Sequence, residues 1–126
     1  RAIADAATAS LQVLKDALRP GVSADSLARE MVRYYEDAGI WGRRSWVGGY
    51  EMGIAFPPDW VGNFIYDVNS DENIDRVFEP GTVVNYENQF FLPNRTGLYF
   101  MIETLAFFDD EARMMSTVPY ELTVVE

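Results

Sequence analysis

The chain has 126 residues, 48% of them hydrophobic, which suits one domain, 1–126, with a real core. Ten basic side chains against twenty acidic ones give a net charge of −10, which argues against a nucleic-acid backbone or an anionic membrane as partner. With no cysteine and no histidine, disulfides, thiolate chemistry and every Ser-His or Cys-His catalytic pair are excluded within the chain.

From Ile3 the apolar residues Ala7, Leu11, Leu14 and Leu18 recur every three or four positions, predicting a first helix that Arg19-Pro20-Gly21 stops. Ser23 is placed to cap a second helix, whose stripe is Leu27, Met31, Tyr34 or Tyr35, and Ala38, ending at Gly39. Beyond Trp41, aromatic and β-branched residues come in short runs, predicting strands at Ser45–Val47, Met52–Ala55, Thr82–Leu92, Leu98–Phe107, Ala112–Ser116 and Glu121–Val125. The acidic stretch between Val61 and Gly81 reads as a long loop, and Asp109-Asp110-Glu111 as a hairpin turn. Helices first and strands after make an α+β domain. No signal peptide or apolar run of about 18 residues is legible, and the missing cysteine leans toward a cytoplasmic protein. Arg1 already lies inside a helical pattern and no initiator methionine precedes it, so the chain is expected to be a piece of something longer.

Two carboxylates stand out. Alternation puts Glu87 mid-strand on a face with Val83, Asn85 and Gln89, while Glu103 shares its face with Tyr99, Met101, Leu105 and Phe107, a lone charge in an apolar row. A mid-strand carboxylate that loses water needs a partner or a metal. A solvated face, or pairing with Arg44, Arg95 or Arg113, is the plain alternative. The acids Asp67, Asp71, Glu72 and Asp75 lack the order of a calcium loop and read as a solvated loop. In "GGYEMGIAFPPDW", Gly48 to Trp60, the glycines permit close backbone approach, the prolines stiffen a wall and Trp60 is placed to cover a pocket.

In order, helix, "RPGVSADSL", helix, "GGYEMGIAFPPDW", "FEPGTVVNYENQF" and "MIETLAFFDDEARMMSTVPYEL" resemble the C-terminal half of the pita-bread family of creatinase, prolidase, Xaa-Pro aminopeptidase and methionine aminopeptidase. That resemblance implies half of a pita-bread fold, with two helices packed on a curved, mainly antiparallel sheet. It matches Glu87 and Glu103 to the family's two metal-binding glutamates, and Tyr50 to its metal-binding histidine. A phenol is a poor metal ligand beside an imidazole, so an altered site is expected. "GYEMGIAFPPDW" is closest to the pattern of ectoine-hydrolase-like members, which act on small, often zwitterionic nitrogen compounds.

By resemblance, then, Glu87 and Glu103 are the metal residues, and Tyr50, Glu51, Asp59 and Trp60 line the substrate pocket. The expected cofactor is a divalent metal (Mn, Zn, Co or Fe) in the complete domain, and the expected partners are a small-molecule or short-peptide substrate and the missing N-terminal half. A homodimer is a possible assembly. The implied activity is hydrolysis of a C–N bond in a small amide or a peptide, the chain alone being inactive and binding metal weakly or not at all. A non-catalytic binding module, or a lyase acting on a small zwitterion, is the alternative. Both glutamates are expected to approach one another on adjacent strands, with Tyr50 beside them.

Overall fold

The computed structural model describes residues 1–52, 61–68, 75–117 and 119–120, with the backbone alone for 61–64. The expected strand at 121–125, Asp59 and Trp60 of the expected pocket, and the acidic Asp71 and Glu72 lie outside the described residues. Helix α1 spans Ala2–Ala17 and buries Ile3, Ala7, Leu11 and Leu14, the stripe expected from the spacing. Helix α2, Ala24–Asp37, starts where the Ser23 hydroxyl accepts the Ser26 N–H at 3.1 Å. It buries Leu27, Met31 and Tyr35, so Tyr35 rather than Tyr34 completes the stripe.

The turn between the helices is clasped by residues 76–78. Gly21 N–H donates to the Phe78 carbonyl at 2.8 Å, Phe78 N–H to that of Val22 at 3.0 Å and Ala24 N–H to that of Arg76 at 2.9 Å. Phe78 is thereby carried into the core, stacked on Phe107 with ring centres 5.1 Å apart and set edge-on to Tyr66 at 5.2 Å.

Five antiparallel strands follow, β1 (Arg44–Met52), β2 (Val61–Asp67), β3 (Val83–Phe91), β4 (Leu98–Phe107) and β5 (Ala112–Met114), in the spatial order β2-β1-β3-β4-β5. The turn at Asp109-Asp110-Glu111 joins β4 to β5, with Phe108 N–H donating to the Glu111 carbonyl at 2.8 Å. Two expectations are corrected. The segment from Ser45 to Met52 is one strand rather than parts of two, because Gly48 and Gly49 continue it instead of breaking it. Residues 61–67, read as the start of a loop, form the edge strand β2.

The helices cover one face of this sheet. Val47 of β1, Val84, Tyr86 and Phe90 of β3, and Leu105 and Phe107 of β4 are buried there with the helix stripes. A polar thread runs through that core: Tyr35 Oη donates to Ser10 Oγ at 2.8 Å, shares a 2.5 Å hydrogen bond with Tyr86 Oη, and Asn88 Nδ2 donates to the Ala7 carbonyl at 3.2 Å. Burial pushes the Tyr35 hydroxyl up to about 12, against hydrogen bonds from its neighbours that pull it down. Because the folded-state value lies above the ordinary tyrosine value, this contribution is fully present below about pH 10 and is lost as pH rises toward 12. Stability measured by urea unfolding is expected to fall across that window, and Tyr35→Phe is expected to flatten the fall.

On the other face, Met52, Ile65, Val83, Leu98, Phe100 and Ile102 remain exposed. Neither helix covers them, and it is on this open face that the polar centre described next is set.

Candidate functional site

The register of β3 against β4 decides where the two glutamates go. Tyr86 pairs with Glu103, and Glu87 pairs with Ile102. Directly paired residues share a face, so Glu103 lies with Tyr86 on the helix side and Glu87 with Ile102 on the open side. The expected approach of the two carboxylates is therefore corrected. The apolar row that Glu103 shares is the core row itself, since Leu105 and Phe107 are buried.

Glu103 is 3% exposed and fully engaged. Its Oε1 accepts the N–H groups of Thr104 at 2.8 Å and Ser116 at 3.1 Å, and its Oε2 accepts the Tyr120 hydroxyl. Ser116 and Tyr120 line a cleft of about 770 Å³ between α1 and β5, together with Thr8, Gln12, Lys15 and Arg113. In this arrangement Glu103 anchors the stretch after β5. Glu103→Ala is expected to cost about 2 kcal/mol and Tyr120→Phe about 1 kcal/mol, from donors left without an acceptor. Urea midpoints measure both, and unchanged midpoints would remove the anchoring role.

Glu87 is 9% exposed at the middle of the open face. Its Oε1 accepts Asn85 Nδ2 at 2.6 Å and its Oε2 accepts Gln89 Nε2 at 3.3 Å. On β1, Gly48 stands opposite Glu87 on one side and opposite Asp67 of β2 on the other, so Asp67, Gly48, Glu87 and Ile102 form one cross-strand row. Counting on from Gly48, Tyr50 falls opposite Asn85, and its N–H donates to Asn85 Oδ1 at 2.6 Å. The Tyr50 hydroxyl is held up by burial first and then by the nearby negative charge of Glu87. Glu51 pairs with Val84 and belongs to the helix side, away from Tyr50.

The paired glycines have separate reasons. A Cβ on Gly49 would strike the Asn85 carbonyl oxygen and lie 2.5 Å from Tyr66 Oη, because the Tyr66 ring crosses β1 there to donate to that carbonyl at 2.5 Å. A Cβ on Gly48 would strike the Tyr66 carbonyl oxygen and come within 2.9 Å of Trp46 Cζ2, so the indole of Trp46 leans over Gly48. Alternation already put Asn85 and Gln89 on the face of Glu87, but Trp46 and Gly48 were not singled out from the sequence. The available signal was the period of two from Tyr50 back to Trp46, obscured by the glycines between them.

These residues do not fit a divalent metal. Among the described residues no group of three carboxylates gathers, the glutamates occupy opposite faces, and Asn85 and Gln89 turn N–H donors toward Glu87.

No protein-family model matches the chain and no curated protein matches it. Solved structures do. Dipeptidase PepE from Mycobacterium ulcerans superposes with a TM-score of 0.70 at 20% identity, over 97% of this chain and 30% of that one. A dipeptidase from Pyrococcus horikoshii OT3 gives 0.75 at 13%, over 93% and 30%, and the X-Pro aminopeptidase from Thermotoga maritima MSB8 gives 0.72 at 14%, over 97% and 32%. The chain has the fold of part of a pita-bread-like peptidase. It spans about a third of the length of each of these structures, and at such identities the likeness concerns the fold. Among the described residues no helix is long and apolar enough to cross a membrane.

Proposed function

We propose that the chain carries part of the active site of a cytoplasmic hydrolase that cleaves a C–N bond in a small amide or short peptide, with Glu87 as the acid/base group and Tyr50 as the wall that orients it. The carrying observation is Glu87 itself, a carboxylate nine-tenths buried and held by Asn85 and Gln89, with Tyr50 beside it, on the open face of a sheet. Fold neighbours that are dipeptidases and an X-Pro aminopeptidase support the reaction class, and "GYEMGIAFPPDW" supports a small nitrogen compound, as in ectoine-hydrolase-like enzymes, over a longer peptide. Glu87 would take a proton from water as the water oxygen adds to the carbonyl carbon. The C–N bond then breaks, and the same proton goes to the departing amine. Asp59 and Trp60 would complete the wall of the pocket. No step is routed through a metal, because the residues here do not assemble its ligands.

The histidine-free composition favours a second reading, a non-catalytic module that binds a ligand at Glu87 without turning it over. Release of free amine by the complete protein from a panel of X-Pro dipeptides and small cyclic and linear amides separates the two. The hydrolase reading expects release that disappears in Glu87→Gln and persists in Glu103→Gln. No release from any member, with binding retained, would establish the module instead.

A further inference from the structure

The cleft between α1 and β5, about 770 Å³ in volume, lies apart from the Glu87 centre and has the size of a ligand site. One of its walls is a strand edge. β5 ends the sheet, with no neighbouring strand on its far side among the described residues. Phe108 N–H donates to the Glu111 carbonyl and Met115 N–H to the Thr104 carbonyl, so residues 111, 113 and 115 turn their main chain toward β4. By the same alternation Ala112 and Met114 turn theirs outward, and both line the cleft. Their side chains share the helix side with Phe107 and Leu105, and with Leu11 they give the cleft an apolar floor.

The two ends of the cleft differ in charge. α1 runs beside β4 in the same direction: Thr8 meets Tyr99 near the start of β4 at 3.3 Å, and the turn after α1 holds Phe78, which stacks on Phe107 at its end. β5 is antiparallel to β4, so Lys15 lies at the Glu111 and Arg113 end of the cleft, and Asp5 at the Ser116 and Tyr120 end. Arg113 is offset by its ion pair with Glu111, whereas Lys15 has no ion pair among the described residues, which leaves a positive charge at that end. At the other end Arg1 offsets Asp5 at 3.8 Å, while the Glu103 carboxylate behind the Tyr120 hydroxyl has no cation partner, which leaves a negative charge. Along α1, Asp5 and Lys15 stand about 15 Å apart, the reach of about four or five residues of extended chain.

We propose that this cleft is a peptide-binding groove: a short extended peptide with free ends adds to the outer edge of β5, antiparallel to it, with its carboxylate at Lys15 and its ammonium at the Asp5 end. The main chain of Ala112 and Met114 supplies hydrogen bonds that do not depend on the peptide's sequence, Leu11 and Met114 receive its side chains, and the charged ends set its direction and length. The groove lies on the helix side of the sheet and does not depend on the role given to Glu87.

The test is a two-dimensional NMR titration of the isotopically labelled chain with tetraalanine, beside the same peptide acetylated at its amino end and amidated at its carboxyl end. Expected are saturable downfield shifts at the Ala112 and Met114 amides, in the millimolar range for so short a peptide. Lys15→Gln, at an exposed side chain, should weaken binding by about threefold, and the capped peptide should bind more weakly still. Met114→Pro removes an outward donor that takes no part in the β4 ladder, so the fold should survive and binding should be lost. Should that variant not fold, Lys15→Gln decides. Absence of saturable shifts at these two amides overturns the proposal, as does equal binding of the capped peptide or undiminished binding in Lys15→Gln. So do nuclear Overhauser contacts from residues 121–126 to Ala112 in the peptide-free chain, which would mean that the chain itself fills the groove.

Discussion

Gly49→Ala is expected to be the most damaging single-methyl change in the described chain, lowering the unfolding free energy by about 3 kcal/mol. An added Cβ there meets the Asn85 backbone oxygen and the Tyr66 hydroxyl, neither of which is the far end of a flexible side chain free to swing away. Relief requires either parting β1 from β3 or breaking the bond from Tyr66 Oη to the Asn85 carbonyl, and Tyr66 is 1% exposed. Asn85 also supplies the amide that fixes Glu87, so damage to stability and to the site should travel together. Gly42→Ala is the control: nothing lies within 4 Å of its would-be Cβ, and a change within about 0.5 kcal/mol is expected. Urea unfolding of both variants decides the matter, and a mild Gly49→Ala would mean that Tyr66 does not cross β1 as described.

For activity, Glu87→Gln is expected to lower turnover of whichever amide or peptide the protein cleaves by about a hundredfold or more, the usual contribution of a positioned acid/base group. Glutamine keeps the size of the side chain and a carbonyl that Asn85 can still bond, so the fold should survive. Tyr50→Phe removes the hydroxyl beside Glu87 and leaves the ring, so a smaller loss, expressed in the pH profile more than in folding, is expected. Steady-state rates across pH measure both. If Glu103→Gln abolished turnover while Glu87→Gln did not, the roles assigned to the two faces would have to be exchanged.

Much of this was legible in the residues, and the failures have identifiable causes. Helix stripes such as Leu11, Leu14 and Leu18 were plain because the helical period is local, and Ser23 and Gly39 mark ends by rules that need no tertiary partner. Within each strand the alternation was also correct: Glu87 does share a face with Asn85 and Gln89, and Glu103 with Leu105 and Phe107. What a single sequence does not contain is the register between strands, where a slip of one residue exchanges faces. The row of Tyr99, Met101, Leu105 and Phe107 already marked Glu103 as core-facing, yet the resemblance to a family with paired metal glutamates drew it to the other side. β2 was obscured because the acids that follow Asp67 give its segment the composition of a loop. Gly48 and Gly49 hid the middle of β1, since glycine is depleted in strands unless a close approach such as that of Tyr66 demands it.

The separation of the two glutamates onto opposite faces is the claim from which the rest follows, and cross-strand nuclear Overhauser contacts between β3 and β4 in the labelled chain test it most directly. Expected are contacts that pair Tyr86 with Glu103 and Glu87 with Ile102. Contacts pairing Glu87 with Glu103 would place both carboxylates on one face, restore a shared metal-type centre and contradict it.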